Sequence, residues 1–300
     1  MGSTYLIRNS VRFVLTVMLA GSIMSGLLVR AQETKNPNPT QETKKTNQAQ
    51  ETKKPNPTQD TKNPNLTAEQ IAEGVILVNG GRNILNQIRR NGIERGRLSR
   101  VLGDGRIEET RYELRFVRGE NAAKDKVRID RKTPQTEYSL VYGSGHVFGI
   151  INGSPFTPRA EASADFISER VHSIDALLRY KENEAKVTLV RKDKQQGVDF
   201  YLLELTDKDS QHTRYYISAK TFRVLSLEYE ETQPGATTAV KYTRRFHDYR
   251  IAQATLVPYR TTLLEDGKQT AETRILTVTY GVKMEDSVFQ NPDQTSAANP

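Results

Sequence analysis

The sequence contains no cysteine. That excludes a disulfide framework, a thiolate metal site and the acyl anchor of a lipoprotein, and it leaves packing alone to stabilise the fold. Histidine is scarce: His146, His172, His212 and His247 are scattered, with no HExxH or other metal-ligand spacing. No phosphate-cradling glycine loop and no dinucleotide fingerprint is present, so no metal and no cofactor is expected. Surplus charge is also scarce where it would matter. The chain carries a formal +8, but Arg8, Arg12 and Arg30 supply +3 of it and the segment 32–66 another +2, leaving +3 for the remainder. So weak a balance gives no phosphate-tracking stripe and excludes a nucleic-acid partner.

Long apolar runs are rare too. The exception is an uncharged run of 17 residues, Phe13 to Val29, which comes after Arg8 and Arg12 and leads into Val29-Arg30-Ala31. This is the pattern of an export signal, residues 1–31, cleaved before Gln32, and it places the protein in the periplasm. An uncleaved inner-membrane anchor is the rival reading.

From Gln32 the chain repeats a nonapeptide four times: QETKNPNPT, QETKKTNQA, QETKKPNPT and QDTKNPNLT. Before Leu66 the repeat holds no apolar residue larger than Ala or Pro, so it cannot bury enough surface to offset its ordering entropy. Residues 32–66 are expected to be a disordered repeat linker spanning about 30 to 35 Å as a flexible coil. It ends for a physical reason. Thr67 and Gln70 form a capping-box pattern, and Leu66 and Ile71 occupy the two positions of a hydrophobic staple.

From Thr67 the spacing of Ile71, Val75, Val78, Leu85 and Ile88 predicts a helix to about Arg90, broken at Gly80-Gly81. A second helix is predicted from Pro158 to about Tyr180, capped by Thr157, with Ile167, Val171, Ile174 and Leu178 along one face and Phe166 and Leu177 widening it. Elsewhere the pattern alternates with period two. Tyr112, Leu114 and Phe116, Val127 and Ile129, and Tyr138, Leu140 and Tyr142 mark three strands; Val187 and Leu189, Phe200 to Leu205, Leu225 to Tyr229, Val240 and Tyr242, Leu256 to Leu263, and Leu276 to Val282 mark more. Turns are signalled at Gly103-Asp104-Gly105, Gly143-Ser144-Gly145, Gln233-Pro234-Gly235 and Asp266-Gly267. Roughly ten strands and two helices without strand-helix alternation predict an α+β fold with one antiparallel sheet. Two helices cannot cover a flat ten-stranded face, so the sheet should curl into a half barrel with the helices in its mouth as a lid. That shape encloses an apolar trough.

No catalytic constellation stands out, and no enzyme is expected. Ser144 lacks the GxSxG context and reads as a hairpin turn. His247 and Asp248 are neighbours on a strand and point to opposite faces. Asn65-Leu66-Thr67 and Asn152-Gly153-Ser154 match the glycosylation triplet, a pattern too short to decide anything. Tyr215-Tyr216 and Arg244-Arg245 read as sheet surface, the arginines able to meet a phospholipid headgroup at a trough's rim.

The closing third carries a family likeness. Tyr216-Ile217-Ser218-Ala219-Lys220-Thr221-Phe222-Arg223-Val224-Leu225 resembles a strand-turn-strand of the LolA-like periplasmic lipoprotein carriers and outer-membrane lipoprotein-sorting proteins, with Ala219 and Phe222 where an Asp and a Gly are usual. The stretch from Tyr242 through Tyr249-Arg250 to Leu256-Val257-Pro258-Tyr259 is similar to a Tyr-rich strand leading to a Pro-ended one, with Ala254 or Thr255 in place of a Gly. Thr277-Val278-Thr279-Tyr280-Gly281-Val282 and then Asp286-Ser287-Val288-Phe289-Gln290-Asn291-Pro292 resemble the last strand and the Asp-x-x-Phe-x-x-Pro ending. The resemblance covers residues 67–292, leaves 293–300 as a flexible tail, and implies an eleven-strand half barrel with a helical lid and a hydrophobic cavity.

The expectation is a non-enzymatic, monomeric carrier of a lipid or acylated protein, because burial of each methylene contributes about 0.8 kcal/mol without any catalytic group. Its trough would be lined by Tyr112, Leu114, Phe116, Tyr138, Leu140 and Tyr142, with Val171, Ile174 and Leu178 from the lid. The alternative is an envelope sensor or interaction module of the same fold, tethered to the membrane and reaching a membrane-protein partner.

Overall fold

The computed structural model describes residues 66–292, except 134 and 144. The export segment, the repeat up to residue 65 and the tail 293–300 lie outside the described residues, as does Ser144. The chain opens with α1 (Ala68–Val78) and α2 (Gly81–Ile88). The capping box is formed: Thr67 Oγ1 accepts from the Gln70 amide at 3.3 Å, and the Thr67 amide donates to Gln70 Oε1 at 2.9 Å. Leu66 packs on the core cluster that contains Ile71, and the break falls at Asn79-Gly80, one residue before the Gly80-Gly81 expected from the sequence.

The first sheet segment runs β1 (Asn91–Val101), β2 (Ile107–Val117), β3 (Lys126–Lys132), β4 (Glu137–Gly143), β5 (His146–Ile151) and β6 (Ser154–Phe156). Then come α3 (Ala160–Val171) and α4 (Ile174–Leu178). The second sheet segment is β7 (Lys186–Gln195), β8 (Val198–Thr206), β9 (His212–Ser218), β10 (Val224–Glu231), β11 (Val240–Ala252), β12 (Thr255–Glu265) and β13 (Lys268–Tyr280). All pair antiparallel in one open sheet, in the order β6-β5-β4-β3-β2-β1-β13-β12-β11-β10-β9-β8-β7. Two meanders are thus joined where β1 meets β13. The free edges, β6 and β7, are consecutive in the chain and linked through α3 and α4, so the lid helices connect the two lips of the trough.

The sheet has thirteen strands rather than ten or eleven. The alternating pattern left β1, β5, β6 and β9 unmarked, β9 being reached only through the resemblance at Tyr216-Ile217-Ser218, and β1 shows why. Its inward positions are Gly92, Glu94, Gly96, Leu98 and Arg100, a series with almost no apolar alternation. Gly96 is required by close approach, since a Cβ there would lie 2.5 Å from both the Arg274 carbonyl oxygen and Tyr112 Oη. Gly96→Ala is expected to cost about 1–3 kcal/mol by overpacking and to push Tyr112 off its partner. Thermal unfolding checks this, and an unchanged Tm would refute it.

The second predicted helix is two. Arg159, extended at ψ 150°, occupies the cap position of α3, so Thr157 and Pro158 lie outside it, and the Thr157 cap is corrected. Ser173 starts α4 afresh by accepting from the Ala176 amide at 3.1 Å. The chain turns there because His172, 2 % exposed, is drawn inward: its Nδ1 lies 2.7 Å from Thr213 Oγ1 and its ring stacks on Tyr229 at 3.9 Å.

The main core lies between α1, α4 and β8–β10, with Ile71, Val75, Leu177, Leu203, Tyr215 and Leu227 fully buried. Tyr215 is therefore core and not sheet surface; its hydroxyl donates to the Ser173 carbonyl at 2.8 Å and ties the lid to β9. Phe222, at a position where the resemblance implies a glycine, adopts φ +54°, and Ala254, one of the two residues, with Thr255, that stand in for the other such glycine, adopts φ +64°. Phe222 is held there by its ring, which lies over bare Gly74 of α1, where a Cβ would come within 2.5 Å of it. On the sheet's other face Phe289 packs with Val141 and Ile150, which accounts for the Asp-x-x-Phe ending as an apolar plug on β4 and β5.

Candidate functional site

Between the sheet and α3–α4 lies a cavity of about 680 Å³. Its wall is written in rows of cross-strand partners. Phe246, Thr261, Thr273, Leu98 and Thr110 face one another in turn across β11, β12, β13, β1 and β2. A parallel row runs Arg244, Leu263, Ala271 and Arg100, and nearer the lid's second helix Phe116 pairs with Val127. Apolar side chains on this wall, Leu98, Leu114, Phe116, Phe246, Leu263 and Ile275, are only half-buried although they face inward, because the protein does not fill the space above them.

Of the expected trough residues, Tyr112, Leu114, Phe116 and Tyr142 line this cavity from the sheet and Val171 and Ile174 from the lid. Leu140 is buried in the cluster of Tyr112, Val127, Ile129 and Tyr142, and Tyr138 packs against that cluster without lining the cavity. Leu178 sits in the main core beneath α1. Ile167 lines the cavity and is 38 % exposed, and Phe166 closes it from α3.

The expectation of an oily face is corrected by what else stands there. Glu94 projects from β1 and accepts from Tyr112 Oη at 2.7 Å. Arg118 comes directly after β2 and pairs with Asp175 of α4. Asp175 is also 3.8 Å from Arg179 and 4.0 Å from Arg89. Arg179 grips Asp125 through Nη1 at 2.9 and 3.1 Å and donates to the Gly119 carbonyl through Nη2 at 3.0 Å. Arg170 reaches Asp125 at 3.6 Å, with its guanidinium 3.6 Å over the Tyr142 ring.

Burial pushes the Arg118 guanidinium down to about 10, against the pull of Asp175, and Arg89 and Arg179 push it the same way. Burial pushes the Asp175 carboxyl up, but Arg118, Arg89 and Arg179 outweigh it and hold it below its ordinary value. Glu94 is raised: burial outweighs the Tyr112 hydrogen bond and nearby Arg89. These residues escaped sequence reasoning because β1 went unread and because an Arg or Asp at a strand or helix end looks like surface.

A carboxyl whose folded-state pKa is raised contributes stability below its unfolded value, 4.5, and loses it as pH rises through the folded value. Glu94→Gln, which cannot ionise, is therefore expected to be more stable than wild type at neutral pH and to converge with it near pH 4. Thermal melts of both proteins from about pH 4 to 8 test this; a gap that stays constant with pH would refute it.

No family model matches the sequence, and no curated protein matches it. Solved structures do. A LolA superfamily protein from Nitrosomonas europaea aligns at 12 % identity with a TM-score of 0.52, over 75 % of this chain and 98 % of its own. A DUF1329 family protein from Desulfovibrio piger aligns at 12 % identity with a TM-score of 0.54, over 76 % and 98 %. Identities this low show likeness of fold and nothing more. The body formed by residues 66–292 has a LolA-like fold.

Proposed function

We propose that the protein is an exported, non-enzymatic binder of acyl chains, borne by a lipid or a lipidated protein, which it carries in the trough between sheet and lid. The observation that carries this reading is the row of half-buried inward apolar side chains around about 680 Å³ of unfilled space. An ordinary core closes on itself to near-crystalline packing density. This wall does not, and its volume falls within the range of about 300–1,000 Å³ common to small-ligand sites. Export supplies the compartment in which such cargo must be shielded from water, and the sequence offers no cysteine for a lipoprotein's acyl anchor.

The reading is tested by native mass spectrometry of the protein exported with its own leader and purified without detergent, together with organic extraction. A co-purifying lipid or acylated peptide, lost on delipidation and regained on incubation with lipid, is the expected result. A protein that emerges without lipid and takes up none would overturn it.

A further inference from the structure

Four guanidinium groups, those of Arg89, Arg118, Arg170 and Arg179, gather at the α4 end of the cavity around Asp125 and Asp175, with Glu94 on the same wall and Glu184, Asp207 and Asp209 also on the lining. Glu182, also at the wall, pairs with Arg82 at 3.2 Å. At the far end, by contrast, Arg131 and Arg100 are faced by Glu169 and Asp165.

Of these four, Arg89 lacks a close partner. Arg118, Arg170 and Arg179 each have a carboxylate or a backbone carbonyl in close contact, whereas the nearest carboxylate oxygen to Arg89 is that of Asp175, at 4.0 Å and already paired with Arg118. The Arg89 side chain is only 15 % exposed, and its Nε is buried without a hydrogen-bond partner. Its guanidinium rests 5.4 Å from the Tyr280 ring, which fixes it over the wall. A buried guanidinium donor without an acceptor is an expensive arrangement, and the Arg89 side chain that carries it is part of the cavity lining.

Resting on the acyl-binding reading, we propose that this end of the trough is an anion subsite centred on Arg89, so that the cargo is an amphiphile whose single carboxylate or phosphate group lies inside the cavity against Arg89. Its chain then runs outward along Phe116, Leu114 and Ile275 toward Leu98. A guanidinium suits both anions because its paired donors match the oxygens of either. Glu94 stands beside Arg89 and opposes the anion, so removing its charge strengthens the subsite.

The test is displacement of a fluorescent fatty-acid probe from the full chain by palmitate, by palmitoyl lysophosphatidic acid and by uncharged monopalmitoylglycerol, each below its aggregation concentration. Wild type should prefer at least one anionic competitor to the uncharged one by about tenfold or more, the range of a charge-assisted hydrogen bond. Which of the two wins tells carboxylate from phosphate. Arg89→Gln should bring that preference close to unity, Arg89→Lys should restore part of it, and Glu94→Gln should enlarge it at neutral pH. Equal displacement by all three in wild type, or a preference that survives Arg89→Gln, overturns the subsite but leaves acyl binding standing. Failure of every competitor and of the probe itself defeats the acyl-binding reading instead.

Discussion

Asp125→Ala is expected to be the most destabilising single substitution outside the apolar core, at about 3–5 kcal/mol, because it strands a buried charge. Asp125 is 7 % exposed and Arg179 8 %. The carboxylate accepts both contacts of Arg179 Nη1 and, through Oδ1, the Gly119 amide at 2.9 Å. Removing it leaves Arg179 Nη1 without its hydrogen-bond acceptor and the Gly119 amide without one at all, in a low-dielectric pocket. Spread over a domain of this size the loss is on the order of 10 °C in Tm. The same bonds pin the end of α4 to the loop before β3, so the lid loosens as stability falls. Asp125→Ala combined with Arg179→Met should recover a substantial part of the loss, since an apolar pair of similar volume has no stranded charge. Denaturant unfolding of the two single variants and the double one decides it. A cost below about 1 kcal/mol for Asp125→Ala, or strictly additive single effects, would show that the pair is not the buried clamp its geometry describes.

How far the fold was legible depends on which positions carry apolar groups. The start of α1 could be read to the residue, because Thr67, Gln70, Leu66 and Ile71 act locally and each does what its chemistry dictates. Tyr112, Leu114 and Phe116 gave the face of β2 by simple alternation, and four of the six expected sheet residues stand on the cavity wall. Legibility failed where an inward position has no large side chain or a charged one. At β1 the inward glycines exist because Tyr112 and Tyr280 on the neighbouring strands need the room, a fact written in the partners and not in β1 itself. The split of the lid at His172 depends on Thr213 and Tyr229, some forty and sixty residues away. The charged end of the cavity was hidden for the same reason: Arg89, Arg118, Asp125, Asp175 and Arg179 come from separate places in the chain, and only the closure of the sheet makes them neighbours.

The middle of the cavity is the place to separate a trough from a core. Thr261 and Thr273 are cross-strand partners on β12 and β13, half-buried, small, and flanked in their row by Phe246 and Leu98. Thr261→Trp places an indole in the open space above the sheet, where it buries apolar area against Leu98 and Phe246. Stability should hold or rise slightly. Occupancy should not, because the ring takes the path a chain would follow. Displacing even two methylenes from apolar contact costs about 1.6 kcal/mol, roughly fifteenfold in affinity. Thr273→Trp should behave alike, whereas Leu276→Trp, at an exposed position of the same β13 strand, should leave binding unchanged. Fatty-acid uptake measured with Tm on all three variants makes the comparison. If Thr261→Trp and Thr273→Trp keep full uptake, the chain does not lie in this cavity; if both lose Tm sharply with no gain in packing, the space is one the fold cannot fill.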